Sequence, residues 1–356
     1  MRDQTIIAVV AVFAVTVFVG QVLVYGANPY VNGASAWMTE DGVVEYSVSS
    51  NTSAEYTAAL MDNGGMYDVR EVAIYWDSDY PVHNTQKYVE DKKAKIVSEL
   101  KIRNSVTVSE VDAEQLRGLM SNDVLSGKNK AAVLMMTGAF PDTVYDGSDD
   151  SLALTWLEGG GVLYWIGCTI GRYVAERGDG PLKEVEGYAN LFFGAESDAA
   201  VGHGSMPYPS PDGSGVPVID DRSNHSDVPS KDWGMAAALG VYYNITMFGL
   251  DTSGLSDFLS LGYTDGTYES AVLIKYHRGD GMIALLGGDP TSDAAPQVAQ
   301  IISSKLSYAS EIAEVKSGTV SNGTVYSGFW DCNGKSDVYI FFGTPMVFYA
   351  RSFSLG

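Results

Sequence analysis

Four aspartates follow an apolar segment of the chain and lie within nine residues of one another. The segment is Ala131–Met136, and the aspartates are Asp142, Asp146, Asp149 and Asp150. Such an apolar run is typical of a parallel strand covered on both faces. Loops after these strands line the ligand crevice of open α/β sheets, so a cation or sugar site is one interpretation. Helix capping and solvation explain such residues more often, and we treat the four as candidate ligand-binding residues.

Two further residue types in the sequence carry reactive groups. The only cysteines are Cys168 and Cys332, too few for a disulfide scaffold. They form either one disulfide bridge or two independent thiols, and both alternatives stay open. His203 and His225 lie in a loop-rich stretch with three aspartates that are candidate metal partners: Asp212, Asp220 and Asp221. No spacing typical of metal ligands repeats there, so the sequence predicts neither a metal site nor a cofactor.

A long apolar leader precedes all of these residues. Residues 6–25 are twenty consecutive residues without a charged side chain. As a helix they would rise about 30 Å, the thickness of a bilayer core. Arg2 precedes this run and the next cation is Arg70, so positive-inside bias places the N-terminus in the cytoplasm and the rest outside. We expect a single-pass anchor in the lipid bilayer; a cleaved signal peptide and a secreted protein is the alternative.

Charge and glycosylation motifs agree with an exported chain. Lys and Arg number 22 against 44 Asp and Glu, a net charge of −22. This charge repels nucleic acid, which we exclude as a partner. Asn-X-Ser/Thr motifs begin at four asparagines, and we expect glycosylation of at least one: Asn51, Asn224, Asn244 and Asn322.

Periodicity divides the chain into parts of different character. Period-two alternation predicts strands near both ends, with a hairpin across Ser50–Ser53 and further hairpins at Asn322-Gly323 and Asn333-Gly334. Strand–helix alternation in the middle predicts a doubly wound sheet. The predicted domains are 1–26, a cytoplasmic stub and anchor; 27–64, an N-terminal β-hairpin region; 65–312, an α/β domain with a loop-rich insertion at about 198–235; and 313–356, a C-terminal β-meander.

Two segments carry a resemblance to a known family. Trp156–Gly167, in which a helix ends at three glycines before an apolar strand, resembles a step of class I glutamine amidotransferase-like domains. Lys275–Gly288 with the helix that follows resembles the end of ThuA-like members. The resemblance covers roughly 70–310 and implies a flavodoxin-like, doubly wound, mainly parallel α/β sheet. In this chain the sheet would carry N- and C-terminal β additions and follow one transmembrane helix. Several members of the family occur in exported or membrane-anchored prokaryotic proteins.

The resemblance also implies two catalytic positions. In the enzymatic branch a cysteine lies in a Gly-X-Cys-X-Gly turn after a strand, and a later histidine followed by Pro and Glu completes the site. These positions correspond to Cys168 and His277. A helix N-terminus after such a turn favours the thiolate, and a histidine would take its proton. Here the sequence is Gly167-Cys168-Thr169-Ile170-Gly171, so the first glycine is one residue closer to the cysteine than in the motif and the second is one residue further away. His277 is followed by Arg278–Asp280. The His-Pro-Glu signature is therefore absent.

These observations lead to three functional hypotheses. We expect a non-catalytic module at the cell surface that binds a glycan, a peptide or a neighbouring envelope protein. Its basis is the anchor, the acidity, the glycosylation motifs and the missing signature. A divergent thiol hydrolase or amidohydrolase using Cys168 and His277 is the first alternative. A structural subunit of a membrane-attached assembly is the second.

Overall fold

The computed structural model describes a large part of the chain. The described residues are 31–38, 43–50, 54–62, 69–83, 85–103, 106–128, 131–166, 169–198, 201–204, 247–263, 269–286, 295–304, 306–321, 325–331, 336–342 and 349–354. The predicted anchor, both cysteines and the four candidate glycosylation sites lie outside them. None of the helices in these ranges combines the length and the apolar character that a membrane crossing needs.

The elements are numbered here in chain order. The strands are β1 (Val31–Met38), β2 (Val43–Ser50), β3 (Ala54–Asp62), β4 (Glu71–Tyr75), β5 (Thr107–Val111), β6 (Ala132–Met135), β7 (Phe140–Pro141), β8 (Val162–Trp165), β9 (Tyr173–Ala175), β10 (Lys183–Glu184), β11 (Val201–Gly204), β12 (Met247–Leu250), β13 (Phe258–Tyr263), β14 (Glu269–Lys275), β15 (Met282–Leu286), β16 (Glu311–Val320), β17 (Val325–Asp331), β18 (Ser336–Phe342) and β19 (Tyr349–Ser354). The helices are α1 (Gln86–Arg103), α2 (Ala113–Ser126), α3 (Leu152–Glu158), α4 (Tyr188–Phe193) and α5 (Ala295–Ser304).

The chain forms two compact units. The larger one, here called the α/β unit, extends over residues 62–312. The smaller one, the β unit, takes its strands from both ends of the chain. It contains one sheet of order β1-β2-β17 and a second of order β16-β3-β18-β19. On β2 the side chains of Val44, Tyr46 and Val48 are buried and their neighbours are half-buried, which is the alternation expected of a strand with one packed face.

The strand pairings predicted for the β unit are corrected in part. The hairpin of the N-terminal region lies between β1 and β2, because β2 and β3 belong to different sheets. The predicted C-terminal meander is also wrong over most of its length, since β16, β17 and β18 alternate between the two sheets. Among the C-terminal strands that the structure describes, β18 and β19 are the consecutive pair that hydrogen-bond to each other. Alternation of apolar and polar residues shows that a strand has one apolar face. That face can be buried when successive strands lie in two different sheets, and equally when they form a hairpin, so the pattern does not specify the pairing.

The α/β class predicted for the larger unit is confirmed. Its main sheet contains five consecutive parallel strands in the order β5-β4-β6-β8-β15. Beyond β15 the sheet continues with antiparallel strands in the order β14-β12-β11, and β13 also pairs with β14. Helix α1 packs with α5, and α2 packs with α3. The strands β11 and β12 flank the predicted loop-rich insertion, of which residues 205–246 lie outside the described ranges.

The order of the parallel strands fixes where a ligand crevice is expected. Along the chain β4 is the first parallel strand, and the second and third, β5 and β6, lie on its two sides. The chain therefore reverses direction across the sheet between β4 and β6. Ligands of open α/β sheets bind at such a switch point, at the edge where the parallel strands end. We call this edge the carboxyl edge and the opposite one the amino edge.

Candidate functional site

The carboxyl edge at the switch point is built around Asp77, two residues after the end of β4. One carboxylate oxygen of Asp77 accepts the backbone N–H of Asp79 at 2.9 Å, which closes the turn after the strand. The other accepts the backbone N–H of Ala113 at 3.2 Å, at the start of α2. The Asp77 side chain therefore ties the β4 loop to the following helix.

A second carboxylate caps the same helix. Asp112 accepts the backbone N–H of Gln115 at 2.8 Å, and the Gln115 side chain accepts the N–H of Asp112 at 3.0 Å. This reciprocal pair is a capping box. Free N–H groups at a helix N-terminus attract anionic ligands. In α2 the N–H groups of Ala113 and Gln115 are instead bonded to the aspartates Asp77 and Asp112.

The loops after β4 and β6 are joined to each other. The backbone N–H of His83 donates to the carbonyl of Thr137 at 2.9 Å, and the Thr137 hydroxyl donates to the carbonyl of Ala139 at 2.7 Å. The Asp142 N–H donates to the carbonyl of Ala175 at 2.9 Å, so the β6 loop also contacts strand β9. These bonds hold both sides of the crevice in place.

Two buried tyrosines lie among these aspartates. Burial raises the pKa of Tyr80 to about 12, helped by the negative charge of Asp142 and by the hydrogen bond that the Tyr80 hydroxyl donates to it. Burial also raises the pKa of Tyr75 well above its usual range, and the nearby carboxylates, first Asp77, raise it further. Both phenols therefore stay protonated and act as hydrogen-bonding groups. We call Tyr75, Asp77, Tyr80, Asp112 and Asp142 the switch-point cluster.

Tyr75 is the most deeply buried residue of this cluster. Tyr75 is 2% exposed and is the last residue of β4. Its phenol lies within electrostatic reach of Tyr80 and of the carboxylates of Asp77, Asp142 and Asp112.

An aromatic pair flanks the cluster. His83 stacks on Tyr173, with ring centroids 4.9 Å apart and planes inclined by 28°. The Arg172 guanidinium lies 5.2 Å from the Tyr173 ring centroid and pairs with Glu184 at 2.8 Å. On the other side of the β4 loop, Arg177 pairs with Asp79 at 2.5 Å. The flank therefore offers aromatic surface, and its arginines are neutralised by neighbouring carboxylates.

His83 is expected to titrate below an ordinary histidine. Its partial burial lowers its pKa from 6.5, and the positive charge of Arg172 lowers it further. The neutral ring is thus favoured in the folded protein, and its contribution to stability is present above pH 6.5 and lost as pH falls through the folded pKa. Histidine-selective NMR titration, assigned with His83→Gln, should give a midpoint below 6.5 that returns to about 6.5 in urea. A folded midpoint at or above 6.5 would contradict this environment.

Only one of the four predicted aspartates belongs to the cluster. Asp142 is the one that accepts from Tyr80. Asp146 instead accepts the N–H and hydroxyl of Ser148, at 2.8 and 2.5 Å, which lowers its pKa. Asp149 pairs with Arg278, and Asp150 is exposed at the start of α3. In the structure Asp146 therefore stabilises a turn, Asp149 forms an ion pair and Asp150 faces solvent.

The predicted histidine lies at the opposite edge of the sheet. His277 is in the turn that leads into β15, whose first residue pairs with Val162 at the start of β8. Its Nε2 atom lies 3.0 Å from the carbonyl of Leu191, and partial burial lowers its pKa. Cys168 follows the end of β8 in the sequence but lies outside the described residues, as does its possible disulfide partner Cys332.

The remaining predicted metal ligands do not form a site in the described part of the chain. His203 lies on β11 opposite Phe248, and His225 and its three candidate aspartates lie outside the described ranges. Among the residues that the structure describes, no three His, Cys, Asp or Glu side chains are placed to hold a metal ion.

Nothing described at the carboxyl edge pairs a nucleophile with a base. The buried hydroxyl of Thr137, whose carbonyl accepts the His83 N–H, donates to the carbonyl of Ala139 instead. The tyrosines are poor acids because their pKa values are raised. The described arrangement offers donors, acceptors and aromatic surface.

Comparison of the sequence with protein-family models and with curated proteins finds no match.

Proposed function

We propose that the α/β unit is a non-catalytic binding module, held outside the cell membrane by residues 6–25, whose ligand occupies the crevice between the ends of β4 and β6. The observation that carries this proposal is the position of Tyr75, Tyr80 and Asp142, which bring hydrogen-bonding groups to the place where the strand order predicts a crevice. The strand order, second-first-third-fourth-fifth, supports the flavodoxin-like interpretation and is compatible with a glutamine amidotransferase-like domain.

The hydrolase alternative has less support from the described residues. It requires His277 to reach a thiol in the turn after β8. His277 instead lies where β15 and β8 begin and contacts the carbonyl of Leu191. Its chain neighbour Arg278 is paired with Asp149, which holds this turn against α3. Under our proposal Cys168→Ser leaves binding unchanged.

The binding proposal is tested with the full-length chain immobilised on a sensor and exposed to the solubilised envelope fraction of its source cells. Tyr75→Phe removes only the hydroxyl of this side chain and should weaken the binding signal at least tenfold. The matched control is Tyr164→Phe on β8. Tyr164 is fully buried as well, and among the described residues its hydroxyl has no hydrogen-bond partner. Because Leu163 and Trp165 point to the face that Tyr75 packs against, Tyr164 points to the other face.

Two results would overturn the proposal. One is equal binding by Tyr75→Phe and Tyr164→Phe, and the other is no binding by the wild-type chain. The membrane topology is tested separately, by protease treatment of intact cells that carry the chain with a C-terminal tag. The tag should be digested from outside, and a protected tag in intact cells would contradict the exported topology.

A further inference from the structure

The end of the β9–β10 hairpin, residues 176–181 and here called the hairpin tip, crosses the crevice between the ends of β4 and β6. The Ala175 carbonyl, at the end of β9, accepts the backbone N–H of Asp142 in the β6 loop at 2.9 Å. Three residues further along the chain, the backbone N–H of Gly178 donates to the carbonyl of Asp79 in the β4 loop at 2.7 Å. Three residues extend over about 10 Å at most and neighbouring strands lie about 4.8 Å apart, so the hairpin passes directly from one side of the crevice to the other.

The base of the hairpin is fixed to the core of the α/β unit. Val174 and Ala175 are buried, and both pair with strand β7. On the other arm the partly buried Leu182 packs against the hydrophobic core. Arg172 and Glu184 form an ion pair at 2.8 Å that joins the two arms. The hairpin tip therefore starts and ends at residues that are held in place.

The hairpin tip itself is held by contacts that solvent weakens. All of its residues are exposed. The Arg177 guanidinium pairs with the Asp79 carboxylate at 2.5 Å, and both side chains are more than half exposed. Such ion pairs contribute little to stability and are screened by salt. A Cβ atom placed at Gly178 would meet no atom within 4 Å, so the centre of the tip is not packed. Within the described part of the chain, the ion pair and the Gly178 hydrogen bond join the tip to the β4 loop.

We propose that the hairpin tip is a gate over the crevice, which is closed in the structure and opens when its contacts with Asp79 break. This inference rests on the proposed binding function and states how access to that site is controlled. The charge of Arg177 acts on Tyr80 and on Asp77, so the closed tip places a cation over the β4 side of the crevice. A ligand that enters between β4 and β6 has to displace the tip. The measured affinity is then reduced by the fraction of molecules in which the tip is open.

Opening of the gate is measured by hydrogen exchange and mass spectrometry on the full-length chain in detergent, at the peptide that contains Gly178. The Gly178 amide is hydrogen-bonded when the tip is closed, so its exchange rate reports the open fraction. Arg177→Gln removes the ion pair and should raise this rate about two- to fivefold in about 0.1 M NaCl. The wild-type rate should rise towards that of the variant in about 1 M NaCl, where the Debye length falls from about 10 Å to about 3 Å. The rate of the variant should not respond to salt.

The matched control is Arg117→Gln on α2. Arg117 pairs with Glu114 at 3.1 Å, and both side chains are again more than half exposed. The control therefore removes a similar ion pair and the same charge, but it does not touch the hairpin. It should leave exchange at Gly178 unchanged. On the sensor, Arg177→Gln should lower the Kd for the envelope fraction by the same factor of about two to five, and Arg117→Gln should not change it.

Two results would overturn the gate while the binding module stands. One is equal exchange at Gly178 in the wild-type chain and in Arg177→Gln, which would show that the ion pair does not hold the tip. The other is faster exchange in Arg177→Gln without stronger binding, because the tip would then open without controlling access. The proposed function fails separately, if the wild-type chain binds nothing from the envelope fraction or if binding does not depend on Tyr75. The gate then has no site to control, whatever the exchange rates are.

Discussion

Replacing Trp156 by alanine is expected to lower the free energy of unfolding of the α/β unit by about 3–5 kcal/mol. Trp156 is 1% exposed and lies on α3, and its ring fills the space beside Gly161. Its indole N–H donates to the Asp123 carboxylate on α2 at 3.2 Å, and Asp123 is 3% exposed. The substitution therefore leaves a cavity and also removes a donor from a buried carboxylate, and both effects destabilise.

Urea unfolding of the full-length chain, followed by far-ultraviolet circular dichroism, measures this loss. The protein contains two units, so the transition of the α/β unit is identified by hydrogen exchange of amides in β6 and β8. Trp156→Phe keeps most of the ring volume but not the N–H group, and should lose less stability than the alanine variant. A loss below about 1 kcal/mol for Trp156→Ala would show that α3 contributes little to the core.

Much of the α/β unit can be predicted from sequence because burial leaves a direct trace in it. The apolar runs at 131–136 and 162–166 correspond to β6 and β8, which are covered on both faces. Three glycines end the helix between them, as the pattern predicts. The β unit is different. Its alternating strands show that each has one apolar face, but a face does not specify its neighbour, so the pairing of β2 with β3 was predicted wrongly.

The candidate site shows the same limit more clearly. Asp142 could be predicted because it follows an apolar strand, but Tyr75, Asp77 and Tyr80 could not. Their significance depends on β4 and β6 being neighbours, with β5 on the far side of β4, and no local pattern encodes that order. One signal was present: Val72–Trp76 is the first apolar strand of the alternating region, and polar residues follow it directly. Once the strand order is known, that position is the first to examine.

The two edges of the main sheet differ in a way that separates scaffold from site. At the carboxyl edge the exposed Asp142 carboxylate keeps hydrogen-bonding capacity. At the amino edge the turn before β15 lies directly on the end of α3, and a Cβ atom at Gly279 would lie 2.2 Å from the backbone oxygen of Glu158. That contact leaves no space for a side chain at residue 279. Substitutions at the amino edge should therefore change stability, and substitutions at Tyr75 should change binding.

Gly281→Ala tests this separation and is expected to destabilise the α/β unit by about 3 kcal/mol, the upper part of the range for overpacking. A Cβ atom at this position would lie 2.2 Å from the carbonyl oxygen of Leu157 and 2.9 Å from that of Gly161. Both neighbours are backbone atoms, and Gly161 also accepts the N–H of Met282, so the clash cannot be relieved by a side-chain rotation. Relief requires β15 to move away from α3.

The matched control is Gly118→Ala on the exposed face of α2, where no atom lies within 4 Å of the added Cβ. There alanine is expected to stabilise the helix by about 0.5–1 kcal/mol, so the same substitution has opposite signs at the two positions. Urea unfolding measures both changes. At temperatures where Gly281→Ala remains folded, its affinity for the envelope fraction should equal that of the wild-type chain, because the turn before β15 is at the edge away from Tyr75. A folded Gly281→Ala protein that had lost binding would place the ligand at the amino edge, beside His277, and would favour the alternative site over the switch-point cluster.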